Sequence, residues 1–251
     1  MIGRLERWVW IGGAVLACIA GMVNAVGFLS YDHQAVTHMT GPTTSLGISI
    51  VNGDVRGVVR VLLVIMSFVA GAFTSGFIIR QSTLKLGRRY GAVLLIESIL
   101  LFSAASLMQV HAHAGCYLAS AAAGLQNAMA STYSGTILRT THLTGMFSDW
   151  GASLGQIVRG VEVDRRRIRL SMLVIGSFFI GGVLGAAAFK ALEYHTLYIP
   201  AILTGGVAIL YSTYSHAQKK KINLDRMTQS LNEVLLKLHP GFGPRDDEST
   251  R

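Results

Sequence analysis

Two stretches repeat the same chemistry a little over a hundred residues apart, Thr37-His38-Met39-Thr40-Gly41 and Thr141-His142-Leu143-Thr144-Gly145. Threonine hydroxyls ahead of a glycine at the start of a helix offer side-chain oxygens and free backbone N–H groups together, and the helix dipole adds partial positive charge there. An anionic group is the natural ligand of such a place. Pro42 suits a first helical turn, where its missing N–H costs nothing. The plainer alternative is that Thr40 and Thr144 simply N-cap their own helices. His38 and His142 share a motif position and are either hydrogen-bonded structural residues or proton and ligand groups. With only two such histidines and no further Cys or His at ligand spacing, no metal and no cofactor is expected.

Amides and charges complete the candidate set. Asn24, Gln126 and Asn127 lie within apolar segments, where an unpartnered amide is costly, and the motif segments are their expected partners. Arg139 precedes the second motif, where the first has Ala35; it reads either as a topogenic arginine or as a charge drawing anions to an inner mouth. Asp149 reads as a solvated or helix-start carboxylate. Glu97 sits in Val93-Leu94-Leu95-Ile96-Glu97-Ser98-Ile99-Leu100-Leu101, two turns past Arg88-Arg89 and too deep for so short a side chain to snorkel. It is expected to face the interior, to be protonated or polar-paired, and to be the proton carrier if transport is proton-coupled.

These residues need elements that hold them in a membrane. Of 251 residues, 51% are hydrophobic and 14% charged, with mean hydropathy of +0.47, values far from those of a soluble domain. The net charge of +9 comes from basic residues between apolar segments, without the aromatic interleaving of a nucleic-acid surface, so no nucleic-acid partner is expected. Cys18 and Cys116 both fall in apolar segments and read as small hydrophobes. The basic start Met1 to Arg7 leads into an apolar stretch to about Leu29, too long for a cleaved signal peptide and read as a retained first span.

Six segments have the length of a membrane span, about 8–30, 59–79, 90–110, 114–133, 169–189 and 197–214. The motif segments are extra, re-entrant or broken if there are six spans and crossing if there are eight. Six spans with both termini cytoplasmic place 19 of the 22 basic residues inside, as the positive-inside rule asks. Eight would put the Arg80 to Arg89 cluster outside.

The upstream segment Ala20-Gly21-Met22-Val23-Asn24-Ala25 is answered by Ala123-Gly124-Leu125-Gln126-Asn127-Ala128. A duplicated unit of three spans must enter the membrane from opposite sides. The expected fold is therefore an all-α membrane protein of about six transmembrane helices, arranged as two inverted three-helix repeats, each with a broken or re-entrant Thr-His-x-Thr-Gly segment. The membrane domain is 1–215, with repeat one about 8–110 and repeat two about 114–214, and the motifs are expected to meet at a central site. Gly71 with Ser75, Ala72 with Gly76, and Gly181 with Gly185 bring helices close, within the chain or between copies. In the tail, 216–251, Leu224, Met227, Leu231, Val234 and Leu238 mark an amphipathic helix on the membrane surface, followed by disorder from Pro240.

The motifs Ala20-Gly21-x-x-Asn24-Ala25-x-Gly27-Phe28, His38-Met39-Thr40-Gly41, Gly124-Leu125-Gln126-Asn127-Ala128 and Arg139-Thr140-Thr141-His142-Leu143-Thr144-Gly145 resemble the YoaK-like family of bacterial integral membrane proteins, a family of unknown function. The resemblance covers about residues 10–214 and implies an inner-membrane protein of about six spans. Members often carry Asn after the motif glycine, where this chain has Pro42, which lacks both the amide side chain and the backbone N–H.

Three functions fit these features. The first is a transporter or facilitator for a small, anionic solute, favoured by the duplicated polar motifs. The second is a non-transporting scaffold or regulator in contact with lipid. An intramembrane enzyme fits least, since there is no His-Glu-x-x-His and no Gly-x-x-x-x-Gly-Lys loop.

Overall fold

In a computed structural model, which describes residues 7–79, 88–134, 140–213 and 227, the described chain is helical and holds no strand. The helices are α1 (Arg7–Leu29), α2 (Thr40–Val51), α3 (Val55–Ile78), α4 (Arg88–Gln109), α5 (Ala114–Ser134), α6 (Leu143–Val158) and α7 (Arg165–Leu192). A 3₁₀ turn, Glu193–Leu197, leads to α8 over 198–213. Of the tail, only Met227 is described, exposed and helical; the other tail residues, the Arg80 to Lys85 part of the basic cluster and Arg139 lie outside the described residues.

Four stretches are long and apolar enough to cross a membrane: Trp10–Leu29, Val55–Ile78, Arg89–Gln109 and Arg165–Thr213, the last combining α7 and α8. Glu193 bends that run, with φ +48 at the end of α7. Helix α5 has the length of a span, but Ser120, Gln126, Asn127 and Ser131 dilute its apolar character. Helices α2 and α6, 12 and 16 residues long, reach roughly 18 and 24 Å and fall short of a bilayer's hydrocarbon thickness of about 30 Å.

Helices α1, α4, α5 and α8 form the interior. At one end Val26, Leu101, Met108, Cys116 and Ala201 pack together; towards the other, Val93, Leu94, Leu125, Met129 and Ala208 do so. Helix α3 flanks this core against α5, α7 flanks it against α1, and α2 and α6 lie on α3 and α7 respectively. Outward-facing Leu62, Met66, Phe73 and Phe77 on α3, and Phe179, Ile180 and Val183 on α7, are exposed, the distribution expected of surfaces that meet lipid rather than water.

Because lipid is as apolar as leucine, close packing rather than burial decides which helices associate. Glycine supplies it twice over. A Cβ at Gly21 would strike Phe178 O and one at Gly181 would strike Cys18 O, so α1 and α7 meet backbone to backbone. A Cβ at Gly124 would strike Phe68 O and one at Gly71 would strike Ala121 O, which is the same contact between α5 and α3. The small faces Gly71–Ser75 and Gly181–Gly185 are thus buried inside this chain, while Gly76 has no atom within 4 Å of an added Cβ.

These contacts also set direction. Helices α1 and α7 run parallel, with Gly181 at Cys18 and Gly185 at Ala25. Helices α3 and α5 run parallel, with Ser120 donating to Val64 O and Gly124 against Phe68. Helix α1 opposes α5, since Leu16 pairs with Gln126 while Ser30 lies by Cys116. Helix α4 opposes α8, since Ser98 donates to Ala201 O while Gly91 faces Ser212.

Candidate functional site

The segment after α1 turns back into the bundle instead of leaving it. Ser30 Oγ donates to Gly27 O at 2.7 Å, and Gly27 has no room for a Cβ because Gln34 O and Val36 lie against it. Val36 and Thr37 are fully buried. Thr37 Oγ1 donates to Asn24 Oδ1 at 2.9 Å, so the first residue of the motif satisfies the buried amide of α1. In the second half the pairing moves by one position. Gln126 Nε2 donates to Thr140 Oγ1 at 3.2 Å and to Leu16 O at 2.8 Å. Asn127 Oδ1 is buried without a hydrogen-bond partner.

Capping by the motif threonines is overturned. Helix α2 begins at Thr40 with Met39 as its N-cap, and α6 begins at Leu143 with His142 as its N-cap; neither start has a side-chain cap. Thr40 and Thr144 therefore lie within the first turns, both exposed, and the N–H groups there lack the side-chain acceptors that usually satisfy them. Gly41 is open, whereas a Cβ at Gly145 would strike the His142 ring. His38 is half-buried, its ring centroid 6.4 Å from that of Phe28, and burial lowers its imidazole pKa below the ordinary value. His142 is exposed.

The two motif starts are not brought together. Helices α2 and α6 do not touch, and the levels of Leu16 and Asn24 on α1 mark the two starts as roughly 12 Å apart along the helix axis, at 1.5 Å per residue. The wall between them includes Ala20, Val23, Ala119 and Ala122, all buried and apolar. This corrects the expectation of a shared central site: Asn24 stays with Thr37, Gln126 stays with Thr140, and a layer of small, buried apolar side chains separates them.

Glu97 is 1% exposed, with Oε2 buried and unpartnered. Among the described residues no cation pairs with it, the two ion pairs being His113–Asp32 and Arg167–Asp149. Its neighbour Ser98 is occupied by Ala201 O.

The expected pairing of the buried amides with the motif segments holds for Asn24 with Thr37 and, one residue ahead of the second motif, for Gln126 with Thr140, but not for Asn127 Oδ1. What the sequence reading missed is a shared turn chemistry. Gly53 and Gly160 take φ of +67 and +74 at the ends of α2 and α6, and Asp54 and Asp164 then cap α3 and α7 by accepting from Gly57 N and Arg166 N. Gly53-Asp54 ahead of α3, and Gly160 with Asp164 ahead of α7, were the available signal.

An outward-facing apolar belt, a bundle held by glycine contacts, and loops folded back to satisfy buried amides define a helical membrane protein. Residues 12–210 match the model of a family described as a protein of unknown function, DUF1275. The chain belongs to that family, in agreement with its YoaK-like motifs. No curated protein and no solved structure matches it.

Proposed function

We propose that this protein is a transporter or facilitator for a small, anionic solute in the bacterial inner membrane, built as two inverted three-helix repeats with cytoplasmic termini. The carrying observation is the exchange of partners between halves. The first helix of each half packs through the same glycine contact on the third helix of the other half, and the matching helices run in opposite directions. Each half also folds a threonine-bearing segment back to a buried amide and starts a short helix there, with free N–H groups suited to an anion. Glu97 is the proton-coupling group of this reading, because it is buried, unpaired and without counterpart in α8, where Pro200 and Thr204 occupy the first turns. Neither a catalytic role nor a cofactor is part of the proposal.

The buried apolar layer between the motif starts favours a second reading, a scaffold or regulatory protein that moves no solute. Uptake of labelled carboxylates, phosphate and other small anions into proteoliposomes, with and without a pH gradient, separates the two. The transporter reading expects saturable uptake of an anion, reduced at least tenfold in Gln126→Ala. Uptake no greater than in protein-free vesicles across the panel, from folded protein, favours the scaffold.

A further inference from the structure

We propose that the elbow between α6 and α7 is a binding site for the headgroup of an anionic phospholipid. This needs only that the bundle sits in a bilayer and stands whether or not a solute crosses. The elbow forms an open groove of about 680 Å³ lined both by apolar Ile157, Val161 and Ile168 and by charged Arg165, Arg169 and Glu162. Arg159, exposed at the end of α6, directly precedes Gly160 of the lining.

The acids nearby are already engaged. Asp149 holds Arg167 at 2.9 Å, tying α6 to α7, and Asp164 accepts from the backbone of Arg166 as the cap of α7. Asp164 keeps its charge while it caps, so Glu162 and Asp164 together offset Arg159, Arg165 and Arg169 and leave the elbow net positive. Next to these charges the chain exposes apolar surface, with Val158 at 88% and Val161 at 52%. Arginine forks match a phosphodiester in a bidentate way. The adjoining valines and isoleucines match the first methylenes of acyl chains, while the arginine stems reach up to the headgroup level. A free phosphate would use the arginines and gain nothing from the apolar lining, so a lipid fits the groove better. Basic pockets between membrane helices recognise anionic headgroups by this combination.

The test is native mass spectrometry and thermal unfolding of the purified full chain, titrated with phosphatidylglycerol, phosphatidylcholine or glycerol phosphate. The wild type is expected to retain phosphatidylglycerol and to be stabilised by it, with little response to the other two. Arg165→Gln with Arg169→Gln is expected to weaken phosphatidylglycerol binding roughly 30-fold, about fivefold for each cation. Should that pair disturb insertion, Arg165→Lys with Arg169→Lys keeps the topological charge and is expected to lose affinity by several-fold through loss of the bidentate fork. Equal binding of phosphatidylglycerol and phosphatidylcholine, or unchanged affinity in both pairs of variants, overturns the proposal. Glycerol phosphate competing as well as phosphatidylglycerol overturns it in favour of a free-anion site.

Discussion

The Asn24–Thr37 pair gives the sharpest consequence of a single side chain. Removing one partner strands the other in an apolar interior, so Asn24→Ala or Thr37→Val is expected to cost about 1–3 kcal/mol. A double-mutant cycle should return a coupling of at least about 0.5 kcal/mol, and additive losses would deny the bond. His38 gives a pH signature. Burial lowers its folded pKa beneath that of the unfolded chain, near 6.5, so as pH falls through that value the unfolded state takes up a proton that the folded state refuses. Thermal stability should therefore fall between pH 7.5 and 5.5, and His38→Asn should flatten the slope; an unchanged slope would remove His38 as its source. Glu97→Gln keeps shape and hydrogen-bonding capacity but cannot ionise. In the proposed mechanism it abolishes gradient-driven uptake and retains exchange, whereas unchanged pH dependence in the folded variant takes Glu97 out of the mechanism.

Helices divide into those whose glycines are indispensable and those whose glycines are open. Gly21→Leu or Gly71→Leu forces apart backbones that touch at Phe178 and Ala121 and is expected to destabilise by about 1–3 kcal/mol or more. Gly47→Ala, in α2 with nothing within 4 Å, should be neutral or stabilise by up to about 1 kcal/mol. Equal losses from both would mean that glycine spacing does not set the helix pairing. The long helices were readable because apolar runs of span length admit few alternatives, and Gly71 and Gly181 stood out by their spacing. Which helix each would meet was not readable, since the partners Ala121 and Cys18 are small residues in distant segments with no mark of their own. The motif helices were misread at their starts. The same Thr-His-x-Thr-Gly pattern begins α2 at its fourth residue and α6 at its third, because the first threonine of one copy, and the residue ahead of it in the other, is drawn to an amide.

At the scale of the whole molecule, α1, α4 and α7 run one way while α3, α5 and α8 run the other, so the turn before α3 and the turn before α7 lie at opposite ends of the bundle. On the proposed reading these ends are opposite faces of a membrane, which would make the repeats inverted. Sided labelling tests it most directly. In a background lacking Cys18 and Cys116, Asn52→Cys and Arg159→Cys each place one thiol on an exposed turn, and an impermeant maleimide is applied to intact and then to opened cells. The account predicts that Asn52→Cys is labelled in intact cells, as a His111→Cys control is, while Arg159→Cys is labelled only after opening. Labelling of both turns from the same side would contradict it.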